Sequence, residues 1–337
     1  MSICSIDSRL SKIYVCAHDE ILDNLVDGRR VIVITDTNIY ANYRDFIERY
    51  SYLVIEDGEG VKTLDTVGNI YEELINMQAD RNTLLLGIGG GVITDITGFV
   101  AATYMRGVKF GFISTSLLGQ VDASVGGKNG VNVNDFKNMV GTFTHPEFVI
   151  LDVDMLKTLP ARELRAGMAE VVKAAIIGDK SLFEQIESRD IEQIYGDRAF
   201  MIDMVTRALR VKLAIVEQDE RESGLRRLLN LGHTVGHAIE KCTHEYNHGE
   251  AVAIGMVMIA QAAVRRAMLE CSECKRIESV LGKLGFCLYT DVSLRDIIYA
   301  MVQDKKRCGS TINLIVPCEI GRCEVVPVDY NELGFLL

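Results

Sequence analysis

Four of the six histidines lie close together, in the segments His233-Thr-Val-Gly-His237 and His248-Gly-Glu250, with His244 between them. His233 and His237 are four residues apart and share a face of a predicted helix, a spacing that suits zinc. Thr234 stands where the metalloprotease HExxH motif has its glutamate, which disfavours a protease. Two or three of these imidazoles together with a carboxylate would form a catalytic zinc site with an open position. A single histidine is more often an ordinary helix residue, and we assign His244 no role.

Glu170 is the candidate carboxylate, because most of its neighbours in Gly167-Met-Ala-Glu170-Val-Val-Lys173 are apolar. A buried acid should be paired or bound to a metal. Arg226, Asn230 and His233 recur at spacings of four and three, which predicts one polar stripe along a helix directed at the metal. The alternative for the charges that precede them is a solvated turn.

A glycine turn, Gly89-Gly90-Gly91, follows the apolar run that begins at Leu84 and precedes a predicted helix that begins near Val92. Glycines allow backbone N–H groups to approach a phosphate at a helix N-terminus. The turn departs from the dinucleotide motif G-x-G-x-x-G, whose last position here is Val92. Asp36 ends another strand-like run, where it could accept hydrogen bonds from a ribose or merely form a tight turn.

A second glycine group, Gly126-Gly127-Lys128, is followed by Lys137 and Asn138. Two lysines and an amide in a glycine-rich loop suit an anionic substrate. Each lysine taken alone is more often a solvated surface group.

The elements that must position these residues change in character along the chain. Strands are predicted at 31–35, 52–55, 84–87, 109–113 and 148–151, with helices at 62–78 and 92–105. Later segments read as helices, at 161–177, 198–217, 226–240, 250–269 and 294–302, with one strand at 311–316. We therefore expect a Rossmann-like α/β domain with a mainly parallel sheet over 1–158, which binds the cofactor. A mainly helical domain that binds metal and substrate follows over 159–337, with the active site in the cleft between them.

Composition mainly excludes classes of function. The 337 residues carry 36 Lys and Arg against 47 Asp and Glu, and the net charge of −11 disfavours nucleic acid and anionic membranes as partners. The longest apolar stretch, 251–264, is shorter than the roughly 20 residues of a membrane helix. No signal peptide is apparent at the start. The nine scattered cysteines predict reduced thiols in the cytoplasm, with the pair Cys271 and Cys274 incidental.

These motifs together resemble the 3-dehydroquinate synthase family of sugar phosphate cyclases, most specifically over 89–107, 121–141, 158–173 and 225–256. The resemblance implies catalytic NAD, one Zn²⁺ (or Co²⁺), and 3-deoxy-D-arabino-heptulosonate 7-phosphate as substrate. It also implies 3-dehydroquinate and phosphate as products, formed by transient oxidation, phosphate elimination, re-reduction, ring opening and aldol closure. This reaction belongs to the shikimate pathway of chorismate and aromatic amino acid biosynthesis.

The resemblance also implies roles for individual residues. The metal ligands are Glu170, His233 and His248, and the proton-transfer residues are Glu222 and His237. The groups that hold substrate phosphate or carboxylate are Lys128, Asn138, Lys212, Arg226, Asn230 and Lys305, and Arg106 reaches the neighbouring subunit of a homodimer. The cofactor-facing set is Asp36, Asn38, Glu59, Lys62, Gly90, Gly91, Val92, Asp95, Thr115, Ser116, Asp122, Lys128, Lys137 and Thr158.

This chain departs from the family pattern at several cofactor-facing positions. Ser114 and Ser116 flank Thr115 where Pro-Thr-Thr is usual, Thr94 replaces a glycine, Asn129 a threonine and Phe136 a glycine. These changes bear on contacts with the cofactor and leave the metal and anion groups intact.

Three alternatives remain open from sequence. A metal-dependent polyol dehydrogenase would share this fold and glycine turn, but a neutral polyol needs no clamp of cations such as Lys212 and Arg226. Other sugar phosphate cyclases are closer, although Lys212 and His237 favour the dehydroquinate type. A non-catalytic NAD- or metal-binding regulator is disfavoured by the complete metal set.

Overall fold

A computed structural model describes residues 4–134, 136–305 and 310–336. The chain divides into two compact units, Met1–Pro160 and Ala161–Leu337. The binding roles assigned to them from sequence stay predictions.

The first unit is built on a seven-stranded sheet in the order β1-β2-β9-β6-β5-β3-β4. Only β1 and β2 pair antiparallel, so the predicted mainly parallel sheet is confirmed. Its strands are β1 Cys4–Ile6, β2 Lys12–Val15, β3 Val31–Asp36, β4 Ser51–Ile55, β5 Leu84–Gly89, β6 Lys109–Ser114 and β9 Phe148–Leu151. The central strands are continuous apolar runs because the sheet is covered on both faces, and Ile32 and Leu85 are completely buried.

Four α-helices in the described part of this unit accompany the sheet: α1 Leu22–Val26, α2 Thr37–Ile47, α3 Leu64–Asn76 and α4 Gly91–Thr103. Most of α4 is buried, from Ile93 to Ala101. It begins directly after β5, as the predicted strand–glycine–helix sequence requires.

The segment predicted as a glycine-rich loop is instead an antiparallel hairpin, β7 Lys128–Val133 paired with β8 Phe136–Phe143. The strands approach closely where Gly130 lies opposite Gly141. The glycines therefore allow close strand pairing, and the loop prediction is wrong.

The second unit is mainly helical, as expected. Its helices are α5 Ala161–Gly178, α6 Lys180–Glu187, α7 Ile191–Gly196, α8 Arg198–Val216, α9 His233–Cys242, α10 His248–Arg265, α11 Cys271–Lys283, α12 Leu294–Lys305 and α13 Leu333–Leu336. The predicted strand at 311–316 is β10 Thr311–Glu319, which pairs antiparallel with β11 Arg322–Asp329.

The helix predicted over 226–240 is broken in two, so the single polar stripe inferred from its spacing is wrong. A 3₁₀ helix spans Leu225–Asn230, and α9 starts at His233. Gly232 separates them with φ of +76°, and a side chain there would lie 2.7 Å from Met256 Cγ and from the Val252 carbonyl oxygen. Close packing on α10 therefore imposes a turn that only glycine adopts readily.

None of the helices in the described residues is long and apolar enough to cross a bilayer.

Candidate functional site

Three potential metal donors converge in the second unit. Glu170 lies in the middle of α5, His233 begins α9 and His248 begins α10. Their donor atoms all lie within 4.8 Å of one another. Glu170 Oε1 is 3.6 Å from His233 Nε2 and 3.7 Å from His248 Nε2. The three residues predicted as ligands therefore form one cluster.

The start of α10 is fixed by local chemistry. Asn247 and Glu250 form a capping box, in which each side chain accepts a hydrogen bond from the other residue's backbone N–H. Glu250 also pairs with Arg162 on α5, at 2.6 Å. A side chain at Gly249 would come within 2.7 Å of three backbone atoms of Ala166, so glycine lets α10 contact α5 next to His248.

The electrostatics of the cluster keep its carboxylate ionised. Burial opposes ionisation of Glu170, but the adjacent Lys173 ammonium and two imidazoles hold the pKa of this carboxyl well below its usual range. Burial, with Lys173 adding to it, lowers the pKa of His233 to about 3, so this imidazole is neutral. Burial opposes charge on His248 as well, yet the neighbouring carboxylates of Glu170 and Glu240 raise its pKa to about 9.

The donor set fits a divalent ion of the zinc type. Both carboxylate oxygens of Glu170 are buried and have no partner with hydrogen-bond geometry within the described residues, apart from the ion pair with Lys173. Two imidazole nitrogens and one carboxylate oxygen are a common ligand set for catalytic zinc. Binding would displace the proton from His248.

His237 lies beside this cluster and lines a cavity of about 210 Å³ together with Glu222, Asn230 and His233. Its ring is 5.3 Å from that of His233 and 5.9 Å from that of His248, centroid to centroid. His237 also belongs to a second possible donor set, with Glu240 and His248. The two proton-transfer candidates therefore face one cavity with a metal donor.

Glu222 is held in an unusual conformation by the loop around it. Its φ of +60° is in the left-handed region, which costs a non-glycine residue about 1–2 kcal/mol. Asp219 organises this loop, because its carboxylate accepts hydrogen bonds from the backbone N–H groups of Ser223, Gly224 and Arg226. Asn230 Nδ2 then donates to Glu222 Oε1 at 2.6 Å.

Two predicted anion-binding cations of this unit are buried, Lys212 on α8 and Arg226 in the 3₁₀ helix. A guanidinium N–H of Arg226 donates to the Glu220 carbonyl oxygen, which fixes the side chain. The side chain of Lys305 lies outside the described residues.

In the first unit, the glycine turn occupies the point where the sheet reverses its order. From β3 the chain runs through α2 to β4 on one side, and from β5 it runs through α4 to β6 on the other. Ligands of such sheets bind in the crevice at the carboxyl ends of the two strands on either side of this point, here β3 and β5.

The turn itself fits an approaching phosphate. Gly90 precedes α4 with no side-chain cap, which leaves the N-terminus of the helix open to an anion. A side chain at Gly90 would lie 3.0 Å from Ser116 Oγ, and one at Gly91 would lie 3.2 Å from Ala123 Cβ. The residues present therefore fit the diphosphate of a dinucleotide.

Asp36 has the structural role in a turn that the sequence offered as the alternative to ribose binding. Its Oδ1 accepts from the backbone N–H of Ile39 and caps α2. Burial raises its pKa, partly offset by the Ile39 and Asn38 amides.

A polar network links several residues predicted to face cofactor or substrate. Buried Lys62 pairs with Asp95, and its ammonium also donates to Asn138 Oδ1 at 2.6 Å. Burial raises the pKa of Asp95 to about 6, although Lys62 opposes the shift. Asn132 joins the network by donating to Glu59 Oε1 and accepting from the Asn138 backbone N–H, both at 2.8 Å.

The remaining predicted residues of this unit are spread over helix starts, short helices and strands or the turns that follow them. Asn38 donates to Asp57, and Thr158 donates to the Met155 carbonyl oxygen. Asp122 lies in a one-turn π-helix, Gly119–Ala123, a feature frequent at functional sites. The others are Arg106 with φ of +68°, buried Thr115, half-buried Val92, and exposed Lys128 and Lys137.

Among the departures from the family pattern, Asn129 has a clear structural role. It is buried and its Nδ2 donates to the Gly127 and Thr144 carbonyl oxygens, which fixes the backbone beside Lys128. Ser114 and Thr94 are buried, and Phe136 is exposed.

Sequence reasoning missed four residues that shape these sites: Lys173, Asp219, Glu240 and Asn132. Lys173 is one helical turn from Glu170, and Glu240 follows His237 at helical spacing, so both could have been found from spacing. The roles of Asp219 and Asn132 depend on loop and hairpin geometry.

Comparison with known proteins identifies the family. The family descriptions "3-dehydroquinate synthase N-terminal" and "3-dehydroquinate synthase C-terminal" match residues 52–166 and 167–307. The chain belongs to the 3-dehydroquinate synthase family. The 3-dehydroquinate synthase of Alkaliphilus metalliredigens is 40% identical over 317 residues, which cover 91% of this chain and 89% of that protein.

Solved structures of related cyclases share the fold of this family member. The 2-epi-5-epi-valiolone synthase ValA from Streptomyces hygroscopicus, with NAD⁺ and Zn²⁺ bound, matches with a TM-score of 0.88 and 26% identity, over 100% of this chain and 98% of that one. A 2-deoxy-scyllo-inosose synthase complexed with carbaglucose-6-phosphate, NAD⁺ and Co²⁺ matches with a TM-score of 0.86 and 24% identity, over the whole of both chains. The latter likeness concerns the fold.

Proposed function

We propose that this chain converts 3-deoxy-D-arabino-heptulosonate 7-phosphate into 3-dehydroquinate and phosphate, as a carbon–oxygen lyase of the shikimate pathway. The observation that carries the proposal is the cluster of Glu170, His233 and His248 within 4.8 Å, in a chain that belongs to this family. The glycine turn at Gly90 and Gly91 supports NAD as the cofactor. We assign Zn²⁺ to the cluster, with Co²⁺ as a substitute.

When bound, the ion would polarise a substrate hydroxyl, and NAD would accept and return a hydride. The chain's own residues bind and orient the substrate. The substrate carries a phosphate and a carboxylate, which the cations Lys212 and Arg226 and the amide of Asn230 suit. Lys128, Asn138 and Lys305 are assigned to the same anions, which explains how a chain with net charge −11 takes an anionic substrate.

Proton movement is assigned to the two titratable side chains that line the cavity. His237 Nδ1 or Nε2 exchanges protons beside the phosphate, and the Glu222 carboxylate accepts a proton after Asn230 orients it. Their fixed positions in one cavity hold a single substrate molecule in place through elimination, ring opening and closure.

The test is to incubate zinc-loaded protein with the heptulosonate phosphate and trace NAD, then to follow phosphate release and identify the carbon product. We expect 3-dehydroquinate and phosphate in equal amounts. Phosphate without dehydroquinate would contradict the assignment, and stoichiometric accumulation of NADH would indicate a dehydrogenase. Lys212→Ala should abolish most activity, whereas Lys275→Ala removes an exposed charge from α11 and should not.

We also propose a homodimer in which Arg106 reaches the neighbouring active site. Strand β8 exposes Phe136, Met139 and Phe143, with 56%, 60% and 48% of each residue accessible. Several large apolar side chains exposed on one strand are typical of an interface. We expect Met139→Glu to weaken association in light scattering, while a control at exposed Tyr289, Tyr289→Ser, leaves it unchanged.

Mixing subunits tests the role of Arg106. In a mixed dimer of Arg106→Ala and His237→Ala subunits, one site receives an intact arginine from its neighbour and keeps its own histidine. We expect activity to reappear on mixing two inactive variants. Continued inactivity of verified mixed dimers would place Arg106 in its own subunit's site.

We propose a cytoplasmic location. No disulfide links the cysteines of the described residues, which suits a reducing compartment.

A further inference from the structure

A carboxylate lies behind one of the proposed metal ligands. The two ring nitrogens of His248 face different acids: Nε2 lies 3.7 Å from Glu170 Oε1, and Nδ1 lies 3.4 Å from Glu240 Oε2. The Glu240 side chain is largely buried, with 10% of it accessible. Glu240 is therefore placed to act on the ring of His248 from the side away from Glu170.

Helix α9 gives Glu240 this position. His233, His237 and Glu240 are four and three residues apart, so they share one face of the helix. All three side chains lie beside His248, which begins α10: the rings of His233 and His237 are 5.1 and 5.9 Å from its ring, and Glu240 Oε2 is 3.4 Å from its Nδ1. One helix thus provides both a proposed ligand and the acid behind another.

Two overlapping donor sets share His248, namely Glu170–His233–His248 and His237–Glu240–His248. A neutral imidazole carries one N–H, so a ring that donates from Nδ1 can bind an ion only through Nε2. In the first set, Glu170 is buried and forms an ion pair with Lys173, but its carboxylate has no partner with hydrogen-bond geometry among the described residues, whereas His237 in the second set is exposed. The buried set therefore suits the ion, which leaves Glu240 to accept the Nδ1 proton.

We propose that Glu240 is a positioning residue that accepts a hydrogen bond from His248 Nδ1, fixes the Nδ1–H tautomer and directs Nε2 at the metal. The inference rests on the proposed function to the extent that the ion binds Glu170, His233 and His248. Carboxylates hydrogen-bonded behind metal-binding histidines orient the ring, and their loss typically weakens metal binding 10- to 100-fold.

The experiment measures zinc affinity of the metal-free protein in competition with a chromophoric chelator, without substrate or NAD. We expect Glu240→Ala to weaken zinc binding by roughly 10- to 100-fold. Glu240→Gln, which keeps an acceptor oxygen, should recover part of the loss. Glu245→Ala is the matched control, because it removes an exposed acid from the loop that precedes α10 and should leave the affinity unchanged.

A second readout separates positioning from stability. In nitrogen-edited NMR spectra of zinc-loaded wild-type protein, the His248 Nδ1–H should be protected from solvent exchange by its hydrogen bond, and in zinc-loaded Glu240→Ala this proton should exchange faster. Melting temperatures of the metal-free variants should stay close to that of the wild type.

The outcomes distinguish the inference from the proposed function. If wild-type protein binds zinc tightly and Glu240→Ala binds it equally well with an equally protected His248 Nδ1–H, the inference is overturned while the metal assignment stands. If His237→Ala and Glu240→Ala both release zinc but Glu170→Gln does not, the ion occupies the second set and the inference is likewise overturned. If wild-type protein binds no divalent ion, the metal assignment itself fails.

Discussion

Replacing Gly249 with alanine should displace one of the three proposed metal ligands, solely by moving the backbone of α10. The new Cβ would lie within 2.7 Å of three backbone atoms of Ala166, whereas ordinary contacts are 3.4–4 Å. Because backbone cannot rotate away, α10 must move from α5 by about 1 Å, and overpacking of this kind costs about 1–3 kcal/mol. His248 adjoins Gly249, so this movement carries one proposed ligand away from Glu170 on α5.

The magnitude for metal binding follows from coordination geometry. Metal–ligand distances tolerate deviations of about 0.2 Å. We therefore expect Gly249→Ala to weaken zinc binding at least tenfold, a loss as large as that caused by removing a side chain hydrogen-bonded to a metal ligand. The assays are thermal unfolding of the metal-free protein and zinc titration against a chelator. Each kcal/mol lost from the free energy of unfolding should lower the melting temperature by about 2–4 °C for a unit of this size.

Gly282→Ala is the matched control. Gly282 also lies inside a helix of the second unit, α11, but a Cβ there would meet only Leu288 Cδ1 at an ordinary 3.7 Å. We expect this variant to be as stable as the wild type or up to about 1 kcal/mol more stable, because alanine favours helix. Wild-type zinc affinity and stability in Gly249→Ala would refute the reasoning about helix contact.

Three further predictions concern other parts of the two sites. His237→Ala should lower turnover by about 10²–10⁴-fold while the protein keeps its zinc, because proton transfer and not coordination is lost; loss of the metal would make His237 a ligand. The raised pKa of Asp95, about 6, means that folding favours its protonated form. The wild type should therefore lose about 2–3 kcal/mol relative to Asp95→Asn as pH rises from about 4 to 6, and parallel unfolding curves across that range would refute this. Asn132→Ala removes hydrogen bonds to Glu59 and Asn138 worth about 1 kcal/mol each, so NAD and substrate affinity should each fall about fivefold in equilibrium titrations; unchanged zinc affinity is the control.

The buried parts of the fold could be predicted from sequence. Strands such as Val31–Asp36 and Leu84–Gly89 are apolar runs because the parallel sheet is covered on both faces. The hairpin formed by Lys128–Val133 and Phe136–Phe143 could not, since β8 is largely exposed and glycines interrupt both strands. The break at Gly232 was also hidden, because it is imposed by packing against Met256 and not by the local pattern.

The candidate site shows the same division. Helical spacing alone predicted His233 and His237 as the pair of metal ligands. Only the resemblance to the family assigned His248 as a ligand in place of His237. The structure brings Glu170, His233 and His248 together but also places His237 within reach of His248. Helical spacing places Glu240 on the same face of α9 as His237, but its approach to His248 depends on how α9 and α10 lie against each other.

All three proposed ion donors belong to the unit Ala161–Leu337 and come from three separate helices. An unfolded chain does not hold them together, so an ion bound there favours the folded unit alone, by about 4 kcal/mol when its free concentration is a thousandfold above Kd. A shortage of zinc would consequently reduce the amount of this protein as well as its specific activity. Chains made without the ion would expose their helical half to cellular proteases more often, and the supply of metal would set their lifetime.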